Sequence, residues 1–183
     1  DIGFVGGYWP YKGVVIDQYL TPMCFPVHNY NIKVFGNQPW HINQYCGVIQ
    51  DAKVKDLFVS AKVCPNLSEP HAHHYGFDIH ERCFKILCAG GFCISDNVTS
   101  IAKIFNGNGV VFADSPQDFR DKIDYYLNNE DKRTQLAKQG QEFLLSTHTN
   151  FHRIADILRY FGCEQEAENI ITGWNKTRSQ INV

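Results

Sequence analysis

The fold is decided by one segment, Arg82-Cys-Phe-Lys-Ile-Leu-Cys-Ala-Gly-Gly-Phe-Cys-Ile-Ser-Asp96. Its first half belongs to a predicted helix, 78–89, in which Phe84 and Leu87 recur at helical spacing. After a pair of glycines, residues 92–95 form a short, continuous apolar run, as strands buried on both faces do. A helix that leads directly into a buried strand is part of a βαβ crossover, so this segment predicts a parallel sheet.

The same alternation of short apolar runs and helical patterns extends along most of the chain. The predicted strands are 2–6, 31–35, 47–49, 62–66, 92–95 and 110–113. The predicted helices are 51–61, 78–89, 97–105, 115–127, 130–146, 150–161 and 164–174. Strands and helices alternate as far as residue 113 and only helices follow. This order predicts an α/β fold with a mostly parallel sheet and C-terminal helices.

Composition and charge argue against several classes of protein. The chain has 183 residues, of which 44% are hydrophobic, too many for a disordered chain. Its formal net charge of −2 leaves no basic excess for a phosphate backbone, so we expect no nucleic-acid partner. The sequence shows no signal peptide, no apolar stretch of membrane length and no Cys-x-x-Cys pair among its seven cysteines. We therefore expect a cytoplasmic protein without a membrane span.

The richest candidate site is the loop and helix start at 69–85. Asp78 is a suitable N-cap, and Glu81, three residues later, is its partner in a capping box. Arg82 and Lys85 are three residues apart and are expected to share a helix face near its amino end. Two cations beside free backbone N–H groups make an anion site, most naturally for a diphosphate. The alternative is a solvated surface pair that Glu81 and Asp78 neutralise.

Two further loops lie where the carboxyl ends of parallel strands are expected, which is where open sheets bind ligands. The glycine-rich loop 6–13 contains Gly7, where the backbone can approach a ligand closely, and Lys12, which can reach a phosphate. The loop 36–41 contains Asn37. The spacings of a Walker loop and of a dinucleotide fingerprint are absent, and a tight turn with an ordinary surface lysine remains the alternative.

Three closely spaced histidines, His71, His73 and His74, follow in another such loop, with Cys64 nearby. A structural zinc site requires two well-separated ligand pairs, which this spacing does not supply. The histidines then either border a sugar or phosphate site or carry no function. A metal protein built on them is a third hypothesis.

From Gly76 onward, the sequence resembles the C-terminal domain of the spore-maturation-protein type of glycosyltransferase, a branch of the two-domain GT-B superfamily. The similarity is carried by the order and spacing of several blocks, which are 82–96, Phe105, 115–119, 123–127, Gly140 and the His148-Thr-Asn-Phe-His-Arg153 signature. The segments 2–7, 31–36 and 56–63 are compatible with the earlier part of that domain. The resemblance covers about residues 1–161.

The resemblance implies a Rossmann-like, three-layer domain at 1–162 that binds a nucleotide-diphosphate sugar and transfers its hexosyl or pentosyl group to a glycan, lipid or protein acceptor. It also implies that the helix and tail at 163–183 cross to an N-terminal GT-B domain of the same protein. The implied catalytic residues are Arg82 and Lys85, which stabilise the departing nucleotide diphosphate without a metal or another cofactor. The implied donor-binding residues are Gly7, Lys12, Asn37, His71, His73, Tyr75, Gly76, Asp78, Glu81 and Arg82.

The sequence departs from this family in one pattern. Many GT-B enzymes carry two glutamates, eight positions apart, around the donor helix, and the second binds the ribose; these positions are Phe77 and Lys85 here. Either ribose recognition moves to another residue, with Glu81 and Asp78 the nearest candidates, or donor binding is weakened or altered. A second hypothesis, from a different class, is a non-catalytic binding or assembly module that retains the GT-B fold without the ribose carboxylate.

Overall fold

Five parallel strands form the sheet of the computed structural model, which describes residues 1–26 and 29–180. The strands are β1 (Ile2–Val5), β2 (Ile32–Phe35), β3 (Cys64–Asn66), β4 (Cys93–Asp96) and β5 (Val110–Ala113). β1 pairs with β2, β3 pairs with β4, and β4 pairs with β5. A parallel bridge between Ile2 and Val63 joins the two groups. The strand order is therefore β2-β1-β3-β4-β5.

Helices connect the strands and continue after the last one. They are α1 (Pro10–Tyr19), α2 (Asp51–Ser60), α3 (Pro70–Tyr75), α4 (Glu81–Ala89), α5 (Thr99–Phe105), α6 (Pro116–Leu127), α7 (Glu130–Thr147), α8 (Asn150–Tyr160) and α9 (Glu164–Arg178). The predicted α/β architecture with a parallel sheet and C-terminal helices is confirmed. Within the described ranges, no helix is both long enough and apolar enough to cross a membrane.

The core lies between the sheet and the helices on its faces. α1 packs against α6, and α2 packs against α4. The crossover from β1 to β2 runs in one direction along the sheet, and those from β2 to β3 and from β3 to β4 run in the other. Right-handed connections therefore place α1 on one face and α2 and α4 on the opposite face. Phe4, Val34 and Ile94 of the sheet are fully buried, together with Ile16 of α1 and Phe119 of α6. Burial of these side chains on both sides of the sheet explains why the strands read as continuous apolar runs.

One predicted strand, 47–49, is wrong. Tyr45 forms a single parallel bridge with Val34, and the chain then turns at Gly47, whose φ is +88°. Val48 beyond this turn is 74% exposed. Because Val48 is uncovered, its β-branched side chain gains no packing from an extended strand.

Two helices lie where the sequence predicts loops. α1 begins at Pro10, in the first-turn position that suits proline, and it buries Val15 and Ile16. α3 has six residues, carries the three clustered histidines, and is too short to show a helical period. Lys12 and these histidines are therefore held by helical backbone rather than by loops.

The chain divides into two compact units, Asp1–Gly140 and the residues from Gln141 onward. In the second unit, the rings of Phe151 in α8 and Trp174 in α9 are stacked with centroids 5.0 Å apart. Trp174 Nε1 also donates to the carbonyl oxygen of Leu145 at 2.8 Å. The sequence predicts a different division, into a donor-binding domain at 1–162 and a C-terminal helix and tail at 163–183. That division is by function, and it stays a prediction.

Candidate functional site

The strand order reverses direction between β1 and β3, and Arg82 lies at this point. Open parallel sheets bind ligands at such a reversal, beyond the carboxyl ends of the strands. Arg82 Nε donates to the carbonyl oxygen of Val5, the last residue of β1, at 2.7 Å. Arg82 Nη1 donates to the carbonyl oxygen of Leu67, which follows β3, at 3.2 Å. The guanidinium therefore joins the ends of the two strands that border the expected crevice.

Packing holds the Arg82 guanidinium in a single position. Its Cζ lies 4.5 Å from the centroid of the Phe4 ring. A Cβ atom at Gly6 would lie only 2.9 Å from Arg82 Nη2, so the absence of a side chain there makes room for the guanidinium. Burial lowers the pKa of Arg82 to about 10, against a smaller opposing effect of Asp96. Arg82 therefore remains positively charged at neutral pH.

Lys12 supplies the second cation of the cluster. It lies in the first turn of α1, and its side chain is only 12% exposed. Its Nζ lies 3.6 Å from Glu69 Oε1, at the start of α3. Burial lowers the pKa of Lys12, the charge of Arg82 lowers it further, and Glu69 opposes both effects. The interaction shows that Lys12, Arg82 and Glu69 form one electrostatic cluster.

Two histidines border this cluster. His71 Nε2 donates to Asp78 Oδ2 at 2.6 Å, and its Nδ1 lies 3.6 Å from Glu69 Oε2. His80 Nε2 accepts the backbone N–H of Glu69 at 3.2 Å. Burial lowers the pKa of His80, and the charges of Arg82 and Lys12 lower it further. His80 is therefore neutral at neutral pH and adds no positive charge.

A buried carboxylate, Asp96, organises the end of β4. It is fully buried and accepts the backbone N–H of Ser68 at 2.8 Å and the Ser68 hydroxyl at 3.0 Å. His73 Nε2 donates to the same carboxylate at 2.8 Å, and Asn66 donates to the Ser95 hydroxyl beside it at 3.0 Å. The bond to Asp96 raises the pKa of His73, against the opposing effect of burial.

Sequence reasoning assigned no role to Asp96, Ser68 or Glu69, although Glu69 is the first residue of the candidate segment 69–85. Asp96 is the last residue of β4, and Ser68 and Glu69 lie two and three residues after the end of β3. Polar residues at the carboxyl ends of neighbouring parallel strands are the signal that could have identified them.

The predicted capping box of Asp78 and Glu81 is wrong. α4 begins at Glu81, its N-cap is His80, and no side chain caps it. Asp78 instead accepts the backbone N–H of Ile79 at 2.9 Å and the bond from His71. Because its carboxylate is engaged there, Asp78 cannot serve as the N-cap of a helix that begins three residues later.

The structure does not bring Lys85 together with Arg82. Lys85 is exposed and pairs with Glu81 at 2.9 Å, as a surface i, i+4 pair. Its side chain also lines a separate groove of about 470 Å³ between α2 and α4, beside Phe58. Lys85 and Glu81 thus lie outside the cluster of Arg82 and Lys12.

Of the remaining predicted donor-binding residues, Gly7, Asn37 and Gly76 lie in loops, and Tyr75 is the last residue of α3. A Cβ atom at Gly7 would lie 2.8 Å from Oδ1 of the exposed Asn37, so these two chain segments approach closely. Gly76 ends α3 with a φ of +72°. The exposed Tyr75 precedes it, with its ring centroid 5.6 Å from that of Phe77.

A metal site is not formed by the histidine cluster. Across residues 1–26 and 29–180, no group of three or more Cys, His, Asp and Glu side chains is arranged to hold a metal ion. His71 and His73 contact different carboxylates, those of Asp78 and Asp96.

Comparison with known proteins gives a family and a fold. A family model described as glycosyl transferase-like matches residues 21–159, well over half of the chain. No curated protein matches the chain. Among solved structures, the chain is similar to the C-terminal CMP-Kdo binding domain of WaaA from Acinetobacter baumannii, with a TM-score of 0.53 and 11% identity over 79% of this chain and 89% of that one. The match confirms the predicted Rossmann-like fold.

Proposed function

This chain belongs to the glycosyl transferase-like family, and we propose that it is the donor-binding domain of a glycosyltransferase, which holds the phosphate of a nucleotide sugar at Arg82. The observation that carries the proposal is the position of the Arg82 guanidinium between the ends of β1 and β3. This is the place where a ligand of an open parallel sheet is expected. The CMP-Kdo binding domain that shares the fold is consistent with a nucleotide-sugar ligand.

The chemistry of glycosyl transfer requires a positive charge at such a position. When the bond from the anomeric carbon to the phosphate oxygen breaks, the oxygen keeps the bonding electrons and gains negative charge. Arg82 and Lys12 stabilise this charge in the proposal, because both are largely removed from water and held by the fold. A cation already in position needs little rearrangement during the reaction.

The neighbouring side chains are proposed to border the sugar and the ribose. His71, His73, Tyr75 and Gly76 lie on or directly after α3, next to the cluster. Of the two carboxylates predicted for the ribose, we retain Asp78, which contacts His71 within the cluster. The proposal also keeps three finer expectations. The donor is a nucleotide-diphosphate sugar, the group transferred is hexosyl or pentosyl, and the reaction proceeds without a metal.

The acceptor and the second half of the enzyme are also proposals. In GT-B enzymes the acceptor is held mainly by the N-terminal domain, as the resemblance implies. We propose that such a domain of the same protein presents a glycan, lipid or protein hydroxyl to the sugar. A cytoplasmic location is proposed as well.

The test is binding of nucleotides by calorimetry to the wild-type chain, to Arg82→Ala and to Arg82→Lys. We expect Arg82→Ala to weaken binding about tenfold to a hundredfold, since one charge-assisted contact is lost. Arg82→Lys keeps the charge and should retain part of the affinity. Arg159→Ala is the control, because Arg159 is an exposed arginine that pairs only with surface carboxylates in the described structure. A wild-type chain that binds no nucleotide would favour the non-catalytic module.

A further inference from the structure

The peptide group between Leu67 and Ser68 lies between the side chains of Arg82 and Asp96. Its carbonyl oxygen, on Leu67, accepts a hydrogen bond from Arg82 Nη1 at 3.2 Å. Its N–H, on Ser68, donates to Asp96 Oδ2 at 2.8 Å. A cation at the oxygen and an anion at the N–H both favour the direction in which this peptide dipole points. A single peptide group therefore links the guanidinium to the carboxylate.

A second, longer chain of hydrogen bonds joins the same two side chains. Arg82 Nη1 lies 3.5 Å from Asn66 Oδ1, and Asn66 Nδ2 donates to Ser95 Oγ at 3.0 Å. Ser95 Oγ in turn lies 3.3 Å from Asp96 Oδ1. Asn66, Ser68, Ser95 and Asp96 are all fully buried. Because a buried polar group that loses its partner is costly, these side chains have few alternative arrangements.

The Asp96 carboxylate is held on all sides. Oδ1 accepts the Ser68 hydroxyl at 3.0 Å and lies 3.3 Å from the Ser95 hydroxyl. Oδ2 accepts the Ser68 N–H and His73 Nε2, each at 2.8 Å. An ionised carboxylate offers about four acceptor sites, and all of them are engaged here. Asp96 is therefore a fixed point to which the segment 66–68 is attached.

Arg82 depends on this fixed point, because it has no carboxylate of its own. None of the described Asp and Glu residues forms a direct ion pair with its guanidinium. Burial lowers the pKa of Arg82, and Asp96 exerts the largest of the opposing effects. Nη2 donates to no described atom, and it lies beside Gly6. Asp96 thus balances the charge of Arg82 without occupying its N–H groups, and Nη2 is left for a ligand.

We propose that Asp96 is a positioning residue of the donor site, which holds the Arg82 guanidinium in place through the Leu67–Ser68 peptide group. The inference rests on the proposed function, in which Arg82 binds the donor. Asp96 is buried and acts only through Arg82. Removal of a negative charge would by itself favour an anionic ligand. Weaker binding after the loss of Asp96 would therefore identify a loss of position.

The first measurement needs no ligand. It follows by NMR the exchange with water of the Arg82 Nε–H, which donates to Val5 and is assigned by its absence in Arg82→Lys. We expect Asp96→Ala to speed this exchange about tenfold, because the peptide group loses its anion. Asp96→Asn keeps an oxygen for the Ser68 N–H, so its rate should stay within about threefold of the wild type. The backbone N–H of the fully buried Ile123 is the reference, since a general loss of stability speeds both protons.

The second measurement is calorimetry with the nucleoside diphosphates of adenosine, guanosine, uridine and cytidine. We expect Asp96→Ala to weaken binding of the preferred one about tenfold, as for one displaced charge-assisted contact. Asp96→Asn should bind it within about threefold of the wild type or more tightly. Asp114→Ala is the control. Asp114 directly follows β5 at the same edge of the sheet, but it is exposed and accepts from Asn97 at 2.6 Å.

The two measurements separate the two proposals. Unchanged exchange of the Arg82 Nε–H in Asp96→Ala, or equal acceleration in Asp96→Asn, would show that Asp96 does not position Arg82 by accepting hydrogen bonds. Faster exchange with unchanged or tighter nucleotide binding would overturn the inference and leave the donor site intact. If no nucleotide binds to the wild type, the proposed function fails, whatever the exchange rates show.

A second variant covers the case in which Asp96→Ala does not fold. Ser68→Ala removes only the hydroxyl bond to Asp96 and should speed exchange of the Arg82 Nε–H about threefold relative to Ile123. An unchanged ratio of the two rates would again overturn the positioning role of Asp96.

Discussion

Arg82 Nε and the carbonyl oxygen of Val5 are 2.7 Å apart, although 77 positions of sequence separate the two residues. The bond ties the first turn of α4 to the end of the first strand. Together with the bond to Leu67, it gives Arg82 a structural role as well as a role in ligand binding. The two roles predict separate measurable effects.

Arg82→Ala should lower the free energy of unfolding by about 1–3 kcal/mol, since two backbone carbonyls lose a charged donor in a partly buried place. Denaturant titration measures this change. Arg159→Ala is the matched control and should change the free energy of unfolding by less than about 0.5 kcal/mol, as most surface substitutions do. Equal stability of Arg82→Ala and wild type would show that water replaces the guanidinium without cost.

His73 should contribute stability on the acid side of its titration. Its bond to Asp96 raises its pKa in the folded state above the ordinary value of 6.5, so protonated His73 favours folding. This contribution is complete below the unfolded pKa and is lost as the pH rises through the higher, folded pKa. The difference in free energy of unfolding between the wild type and His73→Gln should therefore shrink as the pH increases. A difference that grows with pH would contradict the Asp96 contact.

The pKa of His73 itself can be followed by NMR. Asp96→Asn should lower the pKa of His73 towards or below 6.5. The hydrogen bond to the Asp96 carboxylate is the largest cause of the raised pKa, and burial acts in the opposite direction. His80 is an internal comparison, because burial and nearby cations lower its pKa. The two histidines should thus titrate on opposite sides of 6.5.

Gly6→Ala should weaken nucleotide binding about tenfold, the loss expected for one displaced charge-assisted contact. The added Cβ atom would lie 2.9 Å from Arg82 Nη2 and 2.9 Å from the Phe4 ring, so the guanidinium must move. Calorimetry of the variant tests this. Gly173→Ala in α9 is the control: its Cβ atom meets no atom within 4 Å, and the substitution should stabilise the helix by about 0.5–1 kcal/mol without changing binding. Unchanged binding by Gly6→Ala would exclude Nη2 as the ligand contact.

Lys85→Ala should leave nucleotide affinity within about threefold of the wild type, because exposed ion pairs contribute little and Lys85 faces α2 rather than the crevice. The measurement compares it directly with Lys12→Ala, for which we expect a larger loss. A greater loss in Lys85→Ala than in Lys12→Ala would restore the catalytic role predicted from sequence.

The architecture could be predicted from sequence because buried parallel strands leave a local pattern. The apolar runs that end at Asn66 and Asp96 are short and continuous, and each was predicted to within two residues of its observed bounds. α1 was missed because its residues include a glycine, and its apolar positions are not confined to one face. Segment 47–49 has the composition of a strand, but the chain turns at Gly47 and Val48 is exposed.

The site could be predicted only in part. Arg82 was selected because a cation near a helix start is visible in sequence. Its partners, the carbonyls of Val5 and Leu67, belong to distant segments whose meeting depends on the strand order. Lys85 was paired with Arg82 by spacing, but three residues advance a helix by about 300°, which leaves the two side chains about 60° apart. On a helix that packs between a sheet and α2, this angle is enough to direct them to different neighbours.

The anchors of the Arg82 guanidinium are main-chain oxygens, and a main-chain oxygen is present whatever residue occupies the position. Replacement of Val5 or Leu67 by another residue that keeps the same backbone path would leave both acceptors in place. The surrounding side chains, by contrast, can be exchanged one at a time. The positive charge of Arg82 can therefore stay in place while substitutions of the surrounding side chains change which donor the site prefers.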